Sequence, residues 1–146
     1  MEKKIYGVEA FLNRPKALEE EIRGDIDHIA SLRSIVEKTT MHLSFTAGRN
    51  PSRNEKAFES AMIQIAEEEA ALEGKKKQLV ESKIEVEAFI RKIPSRDQQS
   101  ILRYVFLQSL PMSEILDRMD LSKTSGYRLY SAAMETASEV FAIGTL

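Results

Sequence analysis

The chain has 146 residues, of which 42% are hydrophobic and 30% charged, and its net charge is −2. That composition supplies a core and long exposed helix faces, and it excludes a strongly basic surface. With no cysteine, disulfides, thiolate zinc sites and cysteine nucleophiles are excluded as well.

The opening Met1-Glu2-Lys3-Lys4-Ile5-Tyr6 lacks the apolar stretch of a secretory signal. The rest of the chain has no run of about 18 apolar residues, so a cytoplasmic protein with no membrane span is expected. Met1 to Asn13, with Tyr6, Val8, Phe11 and Leu12, reads as a separate short helix folding back on a longer helical hairpin. Pro15 suits a first helical turn. From there to about Leu43, Ile22, Ile29, Val36 and Leu43 recur every seven residues. Leu18, Ile26 and Leu32 widen that stripe, and Thr39 and Thr40 weaken its end. Ser44 to Asn54, with Gly48 and Pro51, reads as a loop. Arg49 and Arg53 in it read as solvated loop residues.

A second helix is predicted from Ser52 or Asn54 to Lys92. Phe58, Ile65, Leu72, Leu79, Val86 and Ile93 stand seven apart, the period that holds one seam against a partner helix. The companion seam of Met62, Glu69, Lys76, Lys83 and Ile90 is charged in its middle. The two stripes fit an antiparallel hairpin. Lys75-Lys76-Lys77, about two turns after Glu67-Glu68-Glu69, reads as a solvated face of opposite charges.

Pro94 ends the second helix. Ser95, with Gln98 three residues on, caps the next, whose apolar face is Ile101, Leu102, Val105 and Phe106. Leu110-Pro111 is a break. A short helix to Met119, a turn at Asp120-Leu121, and a Ser122-capped helix to about Phe141 complete the chain. Short helix, tight turn and capped second helix make the layout of a helix-turn-helix. Ile115, Leu116, Met119, Leu121 and Leu129 would form its core, and the last helix would turn Leu129, Ala133 and Ala137 or Val140 inward. Its second helix would present Ser122, Lys123, Thr124, Ser125, Tyr127 and Arg128 to a DNA major groove. Of Tyr127 and Tyr130, one turn apart, one belongs to the core.

The sequence thus predicts an all-α fold: a helical hairpin over residues 1–93, with helices at about 15–43 and 54–92, then a helix-turn-helix domain over 94–146. Residues 94–146 hold five basic and six acidic side chains, so DNA contact rests on a local patch. His28 and His42 lack ligand spacing and read as ordinary helix residues. Glu81 and Glu85 have no nucleophile or base beside them, and there is no Gly-rich phosphate loop. No enzyme, metal or cofactor is expected.

The stretch from about Gln99 to Met134 resembles the fourth conserved region of bacterial sigma factors. Leu18 to Thr39, Glu81 to Ile93, Ile101 to Gln108 and Met112 to Glu135 are similar to the ArpU/RinA-like late-gene regulators encoded by phages of Gram-positive bacteria. The resemblance implies regulation of phage or mobile-element transcription, double-stranded DNA as partner, and host RNA polymerase as another. A homodimer through the hairpin is expected with it, because paired half-sites raise affinity. Three positions depart from the family pattern. Gly126 stands where an apolar residue is usual, Pro111 where glycine is, and Glu114 where a bulky aromatic follows the serine. These and the acidic balance favour the alternative, a protein-interaction module. A packaging component is the third reading, although such proteins carry the DNA unit first.

Overall fold

The computed structural model describes residues 2–45 and 52–144. It contains five α-helices, α1 (Glu2–Phe45), α2 (Ser52–Ile90), α3 (Arg96–Leu102), α4 (Met112–Met119) and α5 (Lys123–Gly144), with a π-helical turn, Arg103–Leu107, between α3 and α4. There is no strand among the described residues. The fold is the all-α hairpin and helix-turn-helix that the periodicity predicts. No described helix is long and apolar enough to cross a membrane. Of the expected loop, residues 46–51, Arg49 included, lie outside the described residues, as do the side chains of Tyr6, His42, Leu43 and Arg53.

The chain forms two compact units. The first, Glu19–Gln78, is the middle of the hairpin. Ile22 and Ile29 of α1 and Ile65 and Leu72 of α2 are buried in it. Val36 and Phe58 are half-buried. Ile26 departs from expectation: it is 48% exposed. It follows Ile22 by four residues on the outer edge of the stripe, where the arc facing α2 has already ended. The charged middle of the companion seam is explained by pairs between the helices. Arg33 is bonded to Glu69, and His28 lies 3.1 Å from Glu68. Lys75 reaches Asp25 at 2.7 Å and Glu21 at 3.8 Å. The hydrogen bond to Asp25 holds the Lys75 ammonium above its ordinary pKa, against a smaller opposing effect of desolvation. Of the lysine run, Lys75 therefore answers acids on α1, whereas Lys76 stays local, 3.3 Å from Glu73. Thr39 and Thr40 return their hydroxyls to the carbonyls of Ile35 and Val36 at 2.8 Å, and the helix continues past them.

The second unit joins Met1–Leu18 to Leu79–Leu146. Here the structure corrects the reading of the N-terminus. Residues 2–13 are not a separate helix: α1 starts at Glu2 and passes through Pro15. A proline inside a helix forfeits one backbone bond and costs about 3 kcal/mol. Burial offsets it, because Val8, Leu12 and Pro15 are fully buried. Leu12 and Val8 join Val86, Phe89 and Ile90 of α2, Ile101 and Leu102 of α3, Ile115 of α4 and Ala133 of α5 in one core. Phe11, Phe89 and Phe141 close it with ring centroids 5.4 to 6.0 Å apart. Each side chain of this size removed from water contributes about 1.5–3 kcal/mol.

The Ser95 cap forms as predicted, with Oγ accepting the Gln98 N–H at 3.3 Å. Gln99 adds an amide bond to the Ile93 carbonyl at 2.6 Å. Beyond Leu102 the helix widens, and the Gln108 N–H donates to the Arg103 carbonyl five residues back. Arg103 there grips Glu87 of α2 through both carboxylate oxygens, its Nε at 3.1 and 3.0 Å. Arg91 adds a third bond at 3.3 Å. The Arg103 bond holds the Glu87 pKa below its ordinary value, desolvation opposing. A depressed folded-state pKa gives stability that is present above the unfolded pKa and lost as pH falls through the folded one. Glu87→Gln should therefore lower stability by about 1 kcal/mol at neutral pH. Thermal melts of both proteins should converge as pH drops below the ordinary carboxylate range, and a constant difference at every pH would contradict the assignment.

Candidate nucleic-acid interface

The site is built on the last two helices. The α4 helix begins after Pro111, whose carbonyl takes the N–H groups of Glu114 and Ile115 at 3.0 and 3.1 Å. It ends on Asp120, which adopts the left-handed conformation with φ 54° and ψ 49°. Asp and Asn tolerate that region better than other non-glycine residues. The Leu121 N–H then donates to the Leu116 carbonyl at 3.0 Å, and the chain turns sharply into α5. Ser122 caps it, its Oγ accepting the Ser125 N–H at 3.2 Å and its carbonyl the Gly126 N–H at 2.8 Å. The N–H groups of Lys123 and Thr124 precede the first intrahelical bond. They point out of the helix start, where an anionic oxygen is favoured.

Packing fixes which face of α5 looks outward. Gly126 is buried, and a Cβ placed there would lie 2.0 Å from Leu116 Cδ2. The end of the Leu116 side chain occupies the space that a Cβ would take, and a larger residue would push it aside. Tyr130 turns inward and stacks on Phe106 with centroids 6.4 Å apart. Burial, and more weakly Glu9, raises the pKa of its phenol. Of the two tyrosines it is the core member, and Tyr127 is 47% exposed.

The six predicted site residues are all exposed. Lys123, Thr124, Tyr127 and Arg128 share the outer face of the first two turns, and Ser125 lies to its side. Sequence reading missed Ser131, which is also exposed. Its spacing of seven from Thr124 and four from Tyr127 was the available signal. Neither Lys123 nor Arg128 is held in an ion pair among the described residues. Arg118 differs: it pairs with Glu114 at 3.1 Å and lies 5.8 Å from the centroid of the Tyr104 ring. On α5 the first acidic side chain is Glu135. Asp117 and Asp120, exposed on the α4 side of the turn, give that side the opposite sign. The patch is therefore cationic only along the leading turns of α5. No group of three acidic or histidine side chains among the described residues could hold a metal ion.

A family model described as a protein of unknown function (DUF1492) matches residues 52–138, which take in α2, α3, α4 and most of α5. No curated protein and no solved structure matches the chain.

Proposed function

The chain belongs to the DUF1492 family, and we propose that it is a DNA-binding regulator of transcription, acting on phage or mobile-element genes in a sigma-like manner. One observation carries the reading: a capped helix-turn-helix whose second helix exposes Lys123, Thr124, Tyr127 and Arg128 on its leading turns. A recognition helix contacts base edges with those N-terminal turns. Lys123 and Arg128 supply the charge for phosphates or guanine edges, Thr124 a hydroxyl, and Tyr127 an apolar face. Ser122 and the adjoining amides take a backbone phosphate. The resemblance to ArpU/RinA-like regulators supports the same reading and adds host RNA polymerase as a partner.

The test is to incubate the purified chain with fragments of its source genome, recover the bound pieces, sequence them, and repeat at higher salt. A few fragments enriched at about 150 mM salt support the reading, because contacts to phosphate alone weaken steeply there. Uniform binding that salt abolishes, or none, would transfer the function to a protein partner.

A further inference from the structure

The outward strip of α5 changes character along its length. Gly126, Ala133 and Ala137 are buried on one side of the helix, where α5 packs on α3 and Gly126 meets Leu116. At about 100° per residue, Thr124, Arg128, Ser131, Glu135 and Glu139 fall on the opposite side, and all of them are exposed. Over the first two turns the strip is broad, since Lys123, Ser125 and Tyr127 are exposed beside it. Farther on it narrows, because Met134 and Ser138 are buried too. Between Ser131 and Ile143, Glu135 and Glu139 are the exposed side chains. No lysine, arginine or histidine follows Arg128, and neither glutamate is held in an ion pair among the described residues. The strip is thus cationic from Lys123 to Arg128 and acidic from Glu135 to Glu139.

We infer that Glu135 and Glu139 are specificity-determining residues: they bar α5 from lying lengthwise along a DNA backbone and admit it only by its leading turns. The inference rests on the DNA-binding reading above. Double-stranded DNA carries one negative charge per about 1.7 Å of its axis. A helix of this length laid along it would span roughly 30 Å and bring both carboxylates to the phosphates. When α5 enters by its start, Glu135 lies roughly 16 Å and Glu139 roughly 22 Å beyond Thr124 along the axis. Both distances exceed the screening length of about 10 Å at 0.1 M salt. The lengthwise posture is the one that phosphates of any sequence would reward. The penalty therefore falls on sequence-independent binding and spares the seated complex, and discrimination is the difference between the two. The segment left to read bases, Lys123 to Ser131, is roughly 12 Å long. That length matches about three or four base pairs at roughly 3.4 Å each.

Fluorescence anisotropy of the full chain at about 50 mM salt tests this with two probes, a mixed-sequence duplex of about 30 base pairs and a fragment enriched from the source genome. Glu135→Gln with Glu139→Gln should tighten binding to the mixed duplex about three- to tenfold. Affinity for the enriched fragment should stay within about twofold, and the gain on the mixed duplex should fade by about 300 mM salt. Glu20→Gln with Glu59→Gln changes the net charge equally, at exposed positions in the middle of the hairpin, and should leave both affinities unchanged. Equal tightening by that pair, or none by the first, would overturn the inference while the DNA reading stands. Replacing each base pair of the enriched fragment in turn should reveal sensitive runs of about three or four. An unbroken sensitive run of about ten would show α5 lying lengthwise and overturn the inference. A parent chain that enriches no fragment would remove the DNA reading, and this inference with it.

Discussion

With Lys123 and Arg128 both replaced by alanine, affinity for a selected DNA fragment should fall about a hundredfold, each contact being worth roughly 1–3 kcal/mol. Both side chains are exposed, so the stability should stay within about 0.5 kcal/mol of the parent. Fluorescence anisotropy at fixed salt measures the loss, and a salt titration divides it. A residue on phosphate lowers the salt slope by about one and weakens every sequence alike. A residue on a base edge leaves the slope unchanged and relaxes preference at one position. Tyr127→Ala should fall in the second class, because a ring contributes contact without charge. Specific binding that survives the double substitution would remove α5 from the role of recognition helix.

Leu12→Ala should destabilise the protein by about 2–5 kcal/mol, the range for truncating a fully buried leucine. Leu12 has no exposed surface and belongs to the core that also holds Ile115 and Ala133. A substitution in the first helix should thus melt the helix-turn-helix and abolish binding at the same temperature. The corresponding deletion is more severe. A chain starting at Pro94 lacks Val8, Leu12, Val86, Phe89 and Ile90, all buried in that core, and should show no cooperative thermal transition. Circular dichroism and amide dispersion in NMR check both. A well-dispersed, sharply melting fragment of residues 94–146 would show that the N-terminal contribution is dispensable.

Much of this architecture was legible because its signals are local or periodic. The seven-residue spacing of Ile65, Leu72 and Val86 announced a buried seam, and those residues are buried. Ser95 and Ser122 announced helix starts, and both accept the expected backbone N–H. What escaped depends on neighbours remote in sequence. Pro15 is a valid start signal, overridden because Leu12 and Val8 find a core that chain order does not reveal. Ile26 matches the stripe by spacing but not by facing. Gly126 costs helix propensity when seen alone, and only the fold shows that the Leu116 side chain fills the space beside it. The widened turn at Arg103–Leu107 carries no local signature, since nothing in its residues distinguishes it from α-helix. Of the site, charge and capping were readable, while the choice between Tyr127 and Tyr130 needed the position of Phe106.

The way the second unit is assembled, from the first 18 residues and those after Gln78, sets an order of events during synthesis. Val8 and Leu12 emerge from the ribosome early, but Ala133 and Ala137 of the same core emerge well over a hundred residues later. At about 5–20 residues per second, that is a wait of several seconds or more. The leading apolar side chains meanwhile have only the hairpin to shelter them. The α5 helix cannot be fixed in place before translation is nearly finished. A nascent chain truncated before α5 therefore leaves Val8 and Leu12 without Ala133 and Ala137 beside them, and this core is completed only when the last helix arrives.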